Sequence, residues 1–265
     1  MQQPLSSFQK NVTSYNGEDG LLEHVFELIG TTNKKVVEFG ARDGVAASNS
    51  WNLINTHTWG GILIECHNYE AEKLLKLYAT NDNVSARKQM VEIEGKNSLD
   101  SIFDEEQLEK NFDLLIIDID SYDYQIWQSL TTYKPRVVMI EYNDGIPKDV
   151  DWIQPSTGPL TGSSLHSMTL LGEEKGYTLV YAKNDNAVFI SNDVIENQQI
   201  IIHSEDFDKP TNDNFGMFIQ GNYGGYILFN TKNPKNILRR ATIHKANRHK
   251  LYVRNGNALH LLPTN

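Results

Sequence analysis

Apolar residues along the chain come in two rhythms, short unbroken runs and stretches in which they recur every third or fourth position. The runs are Val36-Val37, Ile62-Leu63-Ile64, Leu114 to Ile117 and Val137 to Ile140, each too short for a helix. The later two have no polar face, as expected of strands covered on both sides in a parallel sheet. Strands are therefore predicted over 34–39, 60–65, 112–117 and 137–143, with a short one near 84–86. Between them, Leu21, Leu22, Val25, Phe26 and Ile29 stand at helical spacing. Ser14, Asn16 or Asp19 is expected to cap that helix and Gly30 to end it, with His24 on its surface. Further helices are predicted over 49–55, 69–78, from Asn97 or Ser98 to Phe103, from about Tyr124, and over 164–175 before Gly176. Residues 177–181 and 187–191, joined through Asn184-Asp185-Asn186, predict an antiparallel hairpin at the sheet edge. Beyond residue 200 the pattern weakens into an aromatic turn at 222–226 and a basic helix over 237–249.

The stretch KKVVEFGARDGVAASNS, residues 34–50, organises the rest. It reads as a buried strand, a tight turn and a helix start, the place where open α/β sheets bind nucleotide-like ligands. Gly40 and Gly44 carry no Cβ, which allows close approach of backbone and ligand. The lysine of a phosphate-binding P-loop is missing, which argues against an ATPase. Glu65 ends the second strand a little over twenty residues past the glycine turn, the spacing at which a carboxylate reaches ribose hydroxyls.

Composition narrows the setting. The chain of 265 residues is 39% hydrophobic and 22% charged, the balance of a globular protein. No run approaches the ~18 apolar residues of a membrane span, and residues 1–11 read as neither basic nor apolar enough for a secretory signal, so a cytoplasmic protein is expected. Asn11-Val12-Thr13 fits a glycosylation acceptor that stays idle without export. Cys66 is the sole cysteine, which excludes a disulfide framework and a thiolate zinc site. Of the net charge of −10, residues 214–265 contribute +8 with no Asp or Glu, leaving −18 on residues 1–213. Such a tail folds back on the acidic body, makes an oligomer contact or meets an anionic ligand. No RNA-binding signature accompanies it, so a nucleic-acid partner is not expected.

Residues 14–192 carry blocks that match a family in order: GEDGLLEHVF, VVEFGARDGVAASN, GGILIE, NSLDSIF, FDLLIIDIDSYDYQIW, PRVVMIEYN and the KGYTLV to NAVFI hairpin. The chain resembles the FkbM-like branch of class I S-adenosylmethionine (SAM) dependent methyltransferases. That resemblance implies a Rossmann-like α/β fold with seven mostly parallel strands, the last antiparallel, over residues 1–200, followed by a basic extension over 201–265. It implies that Glu38, Gly40, Ala41, Asp43 and Gly44 hold the methionine portion of SAM, with Ser48 and Asn49 close by. Glu65 would bond the ribose, Cys66 or His67 would border the adenine, and Asp118 would lie near the sulfonium. Arg42 departs from the commonest pattern, which has glycine there. Glu18-Asp19 matches a block too, although helix capping accounts for those two acids.

Methyl transfer needs an acceptor lone pair aligned with the methyl, and a hydroxyl acceptor must lose its proton as it attacks. Asp118, Asp120, Asp123, Glu141 and Asp144 follow neighbouring strands. They suggest either a metal-free site with Asp120 as general base or a Mg²⁺ or Mn²⁺ site, for which Asp118, Glu141 and Asn143 are the candidate ligands. Asp120 and Asp123 also suit the cap of the helix near Tyr124. His166 is the other candidate base. Tyr122, Tyr142, Asn143 and Trp152 are candidate acceptor contacts, Trp152 lying in the proline-rich loop over 145–165, whereas Trp127 falls at core spacing. The expected activity is methylation of a hydroxyl on a sugar, a nucleotide-activated sugar or a glycan precursor. Methylation of nucleic acid or protein, and a non-catalytic SAM-binding scaffold, are the alternatives.

Overall fold

The computed structural model describes residues 2–144, 146, 148, 151–155, 160, 162–198 and 200–208, together with the backbone of five strands between 215 and 262. The chain forms two units. The first comprises residues 1–119, 125–141 and 169–208, and the second 120–124, 142–168 and 209–265.

The first unit is built on β1 (Lys35–Phe39), β2 (Gly60–Glu65), β3 (Val84–Lys88), β4 (Leu114–Ile117), β5 (Val137–Glu141), β6 (Tyr177–Lys183) and β7 (Asn186–Ser191). They form one sheet in the order β3-β2-β1-β4-β5-β7-β6. Parallel pairing joins β3, β2, β1, β4 and β5, while β7 runs antiparallel to both β5 and β6. This is a Rossmann-like α/β arrangement with an antiparallel last strand. The predicted antiparallel hairpin closes one edge of the sheet, with β7 paired to β5 and β6 outermost. β7 is buried at every position, as befits the inner strand of the two.

Helices α1 (Glu18–Ile29), α2 (Trp51–His57), α3 (Asn68–Tyr78), α4 (Leu99–Glu105), α5 (Asp123–Ser129), α6 (Leu165–Glu174) and α7 (Asn192–Gln198) complete the order. Ser98 caps α4 by accepting from the Ser101 N–H, as expected. The cap of α1 is a correction. Gly17 stands at the cap position in the left-handed region, and of the three expected residues Ser14 serves the helix start from outside it, its Oγ accepting from the Asp19 N–H in the first turn at 3.1 Å. Trp127 is core, packed against Tyr177 and Phe189. His24 is less a surface residue than its position suggests, since its ring stacks on Phe8 at 3.4 Å between centroids.

In the second unit β8 (Phe215–Gln220), β9 (Tyr226–Asn230), β10 (Asn233–Arg240), β11 (His249–Asn255) and β12 (Ala258–Leu262) form an antiparallel sheet ordered β10-β9-β8-β11-β12. The basic helix expected over 237–249 is therefore overturned. Ile237 to Arg240 pair with β9, and His249 opens β11. Local helix propensity is a weak preference, and pairing with a neighbouring strand prevails over it here. Residues 241–248, and residues 222–225 of the expected aromatic turn, lie outside the described residues. Among the described residues no helix is long and apolar enough to cross a membrane.

Candidate cofactor-binding site

Parallel pairing of β1 with β2 places Glu38 opposite Leu63 and Phe39 opposite Ile64, so the turn after β1 emerges beside the carboxyl end of β2. The N–H groups of Gly40 and Ala41 both donate to the Ile64 carbonyl at 3.1 Å. The Arg42 N–H donates to Glu65 Oε2 at 2.8 Å, and the His67 N–H donates to Glu65 Oε1 at 2.6 Å. Glu65, 7% exposed, is thereby held with one donor on each oxygen. Each oxygen has a second lone pair, which suits a ligand presenting two hydroxyls side by side.

The turn needs residues that accept positive φ. Gly40 has φ +80°, and a Cβ there would stand 1.7 Å from the Asp118 carbonyl oxygen. Gly44 also has φ +80°, packed over Leu74. Arg42 has φ 49° and Ala47 φ 61°. The arginine that departs from the glycine pattern thus adopts the conformation a glycine would prefer. Arg42→Gly removes left-handed strain of about 1–2 kcal/mol and adds about 0.5–1 kcal/mol of chain entropy. It is expected to leave stability within about 1 kcal/mol of wild type, whereas Arg42→Val, branched at Cβ, loses stability. Urea denaturation of the two variants checks this, and equal loss in both would contradict the conformational account.

Beyond the turn, Asp43 Oδ1 accepts from the N–H groups of Val45 and Ala46 at 3.0 and 2.8 Å. Burial pushes the Asp43 carboxyl up, but the Ala46 and Val45 donors, with Lys73 and Arg42 nearby, outweigh it and hold the group below its ordinary range. Glu38 is 3% exposed and is bonded throughout to the far end of the turn. It accepts from the Ser48 hydroxyl at 3.0 Å, the Asn49 N–H at 2.9 Å and the Ser50 hydroxyl at 2.5 Å. Its burial raises the carboxyl against the lowering effect of those donors. The bonds of Glu38 fix the path of residues 48–50, and Ser50, fully buried, is a member of this cluster that the sequence reading passed over. The small polar run Ser48-Asn49-Ser50 was the available signal. Cys66 is exposed, and partial burial together with the Glu65 charge raises its thiol.

Asp118 follows β4, its N–H directed to the Phe39 carbonyl at 3.4 Å. Glu38, Gly40, Ala41, Asp43, Gly44, Ser48, Asn49, Glu65, Cys66 and Asp118 thus all belong to the first unit, at the carboxyl ends of β1, β2 and β4. Glu141 ends β5 in the same unit.

Asp120, Tyr122, Tyr142, Asn143, Trp152 and His166 belong to the second unit. Asp120 has φ 63°. Tyr142 is 2% exposed, and Tyr122, Trp152 and His166 are half-buried. The Trp152 N–H donates to the hydroxyls of Ser164 and Ser167 at 3.1 and 2.9 Å, and its carbonyl accepts from the Ser164 N–H at 2.8 Å. The Asn143 N–H donates to the Ser163 carbonyl at 2.8 Å. Trp152 and Asn143 are thereby drawn to the start of α6, which also carries His166. Asp123 is the first residue of α5, where its Oδ2 accepts from the Ser121 N–H at 3.0 Å. Among the described residues no group of three or more His, Cys, Asp and Glu is arranged to hold a metal ion. The Mg²⁺ or Mn²⁺ site anticipated at Asp118, Glu141 and Asn143 therefore gains no support.

No protein-family model and no curated protein matches the chain. Solved structures similar to it include the CurJ carbon methyltransferase, at 12% identity and TM-score 0.43, covering 65% of this chain and 52% of that one. A SAM-dependent methyltransferase from Aquifex aeolicus matches at 13% identity and TM-score 0.38, covering 63% and 86%. The N-terminal domain of EvdMO1, solved in the presence of SAH and D-fucose, matches at 13% identity and TM-score 0.43, covering 66% and 82%.

Proposed function

We propose that this chain is a SAM-dependent methyltransferase acting on a hydroxyl of a sugar or nucleotide-activated sugar. The observation that carries the SAM reading is Glu65, a buried carboxylate at the end of β2 whose oxygens are oriented by the Arg42 and His67 N–H groups beside the Gly40 turn. A cis-diol such as ribose donates two hydrogen bonds to such a group. Glu38, Gly40, Ala41, Asp43 and Gly44 hold the methionine portion, with Ser48 and Asn49 close by. Cys66 or His67 borders the adenine, and Asp118 faces the sulfonium end.

Bound SAM supplies an electrophilic methyl group. The protein's own work is to orient the acceptor, keep water away and take the acceptor's proton. Asp120 is the assigned base. Its left-handed backbone at φ 63° is the kind of strain that collects at functional positions. His166 is the alternative base, while Trp152, Tyr122, Tyr142 and Asn143 are the assigned acceptor contacts. The sugar acceptor rests on the FkbM-like resemblance of the sequence blocks.

Isothermal titration with SAM and S-adenosylhomocysteine tests the cofactor. Wild type is expected to bind with micromolar affinity, about −8 kcal/mol. Glu65→Ala, which loses two hydrogen bonds to a charged acceptor, should weaken binding at least about a hundredfold. Folded wild type that takes up neither compound sinks the reading. Release of S-adenosylhomocysteine on adding nucleotide-sugars then tests the acceptor.

A further inference from the structure

Two buried acids ahead of the cofactor turn have no part in the reading above. Asp19 is 1% exposed. Its Oδ2 accepts from the N–H groups of Val12, Thr13 and Ser14 at 2.7, 2.8 and 2.8 Å, and from the Ser14 hydroxyl at 2.7 Å. Three consecutive N–H groups converging on one oxygen fold residues 12–14 into an anion nest filled by the protein's own carboxylate. Among the described residues, Asp19 Oδ1 is buried and meets no donor. Glu18 organises the next residues, accepting from the Asn16 N–H at 2.8 Å and from Asn186 Nδ2 at 3.0 Å. Neither acid caps α1. Both reach back and shape the segment that precedes it.

That segment is tied to the cofactor turn. The Thr13 hydroxyl donates to the Ser48 carbonyl at 2.9 Å, and the Ser48 hydroxyl donates in turn to Glu38. A line of bonds therefore runs from Asp19 in α1 through residues 12–14 and Ser48 to Glu38 in β1. The stretch it secures leaves Ala47 in the left-handed region, a conformation that persists only when its surroundings impose it.

The geometry points to Asp19 and Thr13 as positioning residues for the cofactor turn. Asp19 shapes residues 12–14 so that Thr13 holds Ser48 in place before any ligand arrives. Ordering a loop on binding costs affinity, so a turn fixed in advance binds more tightly. The effect on affinity rests on the SAM reading above, whereas the tether itself does not.

Thr13→Val keeps the side-chain shape and removes the hydroxyl. In ligand-free protein, hydrogen exchange at the Asn49 and Ser50 amides should quicken roughly three- to tenfold, the measure of one net hydrogen bond. The SAM Kd should rise by a similar factor while the thermal midpoint falls by no more than a few degrees. Asp19→Ala should show larger changes in both readouts, and Asp19→Asn, which keeps an acceptor facing the nest, should recover most of them. Should Asp19→Ala fail to fold, Thr13→Val decides alone. Unchanged exchange at Asn49 and Ser50, or faster exchange with unaltered SAM affinity, overturns the positioning role. Faster exchange in a protein whose wild type binds no SAM supports the tether and removes the SAM reading.

Discussion

Gly40→Ala is expected to abolish SAM binding and to destabilise the protein by roughly 2–5 kcal/mol, the sum of left-handed strain and overpacking. The added Cβ would lie 1.7 Å from the Asp118 carbonyl oxygen and 2.9 Å from its carbon. Both are backbone atoms, so no side chain can rotate out of the way. Nor can the two chains separate cheaply, because β1 and β4 are paired in register from Val36–Leu114 to Phe39–Ile117 just before this contact. Relief has to come from lifting the turn, which breaks the Gly40 and Ala41 bonds to the Ile64 carbonyl and moves Arg42 off Glu65. Gly44→Ala provides the comparison. It carries the same positive φ, but its new Cβ would meet side-chain atoms only, Leu74 Cδ1 at 2.7 Å and Leu77 Cδ2 and Tyr78 Cε2 at 3.1 Å. Side chains give way more readily than backbone, so it should cost less than Gly40→Ala, the conformational strain of about 1–2 kcal/mol plus a smaller packing cost. Urea denaturation with SAM titration on both variants tests the pair, and equal behaviour would mean that the approach of the turn to Asp118 is not close.

The parts of the fold visible in the sequence are those encoded locally. The fully apolar runs of β4 and β5 announced a two-sided parallel sheet, and Glu65 announced itself by following β2 at a set distance from the glycine turn. Sheet order is not local, and nothing within residues 177–191 says that β7 enters between β5 and β6. The carboxylates divide in the same way. Glu18 and Asp19 read as helix-start acids because helix starts commonly carry them. Their bonds to residues 12–16 and to Asn186 depend on how the chain folds back, which spacing along α1 does not reveal. Arg42 read as a departure from a glycine pattern. Its left-handed φ shows that the backbone demand remained while the residue changed. In 237–240 the composition suggested a helix, and pairing with β9 made a strand.

Asp113 marks the other end of the sheet, and its removal is expected to cost about 3–5 kcal/mol at neutral pH, the effect of breaking a buried, hydrogen-bonded ion pair. Its carboxylate is fully buried just before β4. Oδ1 accepts from Arg136 at 2.7 Å, and the two oxygens together take the N–H groups of Thr32, Asn33 and Lys34 and the Thr32 hydroxyl. Arg136 also donates to the Ile29 and Gly30 carbonyls, so the cluster joins the end of α1 to the entries of β1, β4 and β5. Burial alone would raise the Asp113 carboxyl, but Arg136 and the Lys34 and Thr32 donors hold it below its ordinary value. A carboxylate with a lowered folded-state pKa contributes stability that is fully present above the unfolded value, near 4, and is lost as pH falls through the folded value. The stability gap between wild type and Asp113→Ala should therefore be level from pH 8 to about 5 and should narrow below about 4. Urea denaturation at pH 7 and pH 3 measures it, and a gap that stays constant at pH 3 would show that Asp113 acts through packing rather than charge. Because Asp113 precedes β4 whereas Asp118 follows it, the variant should also bind SAM with wild-type affinity wherever it remains folded. Stability and cofactor binding would then separate between opposite ends of the paired strands β1 and β4, lost together at Gly40 after β1 and apart at Asp113 before β4.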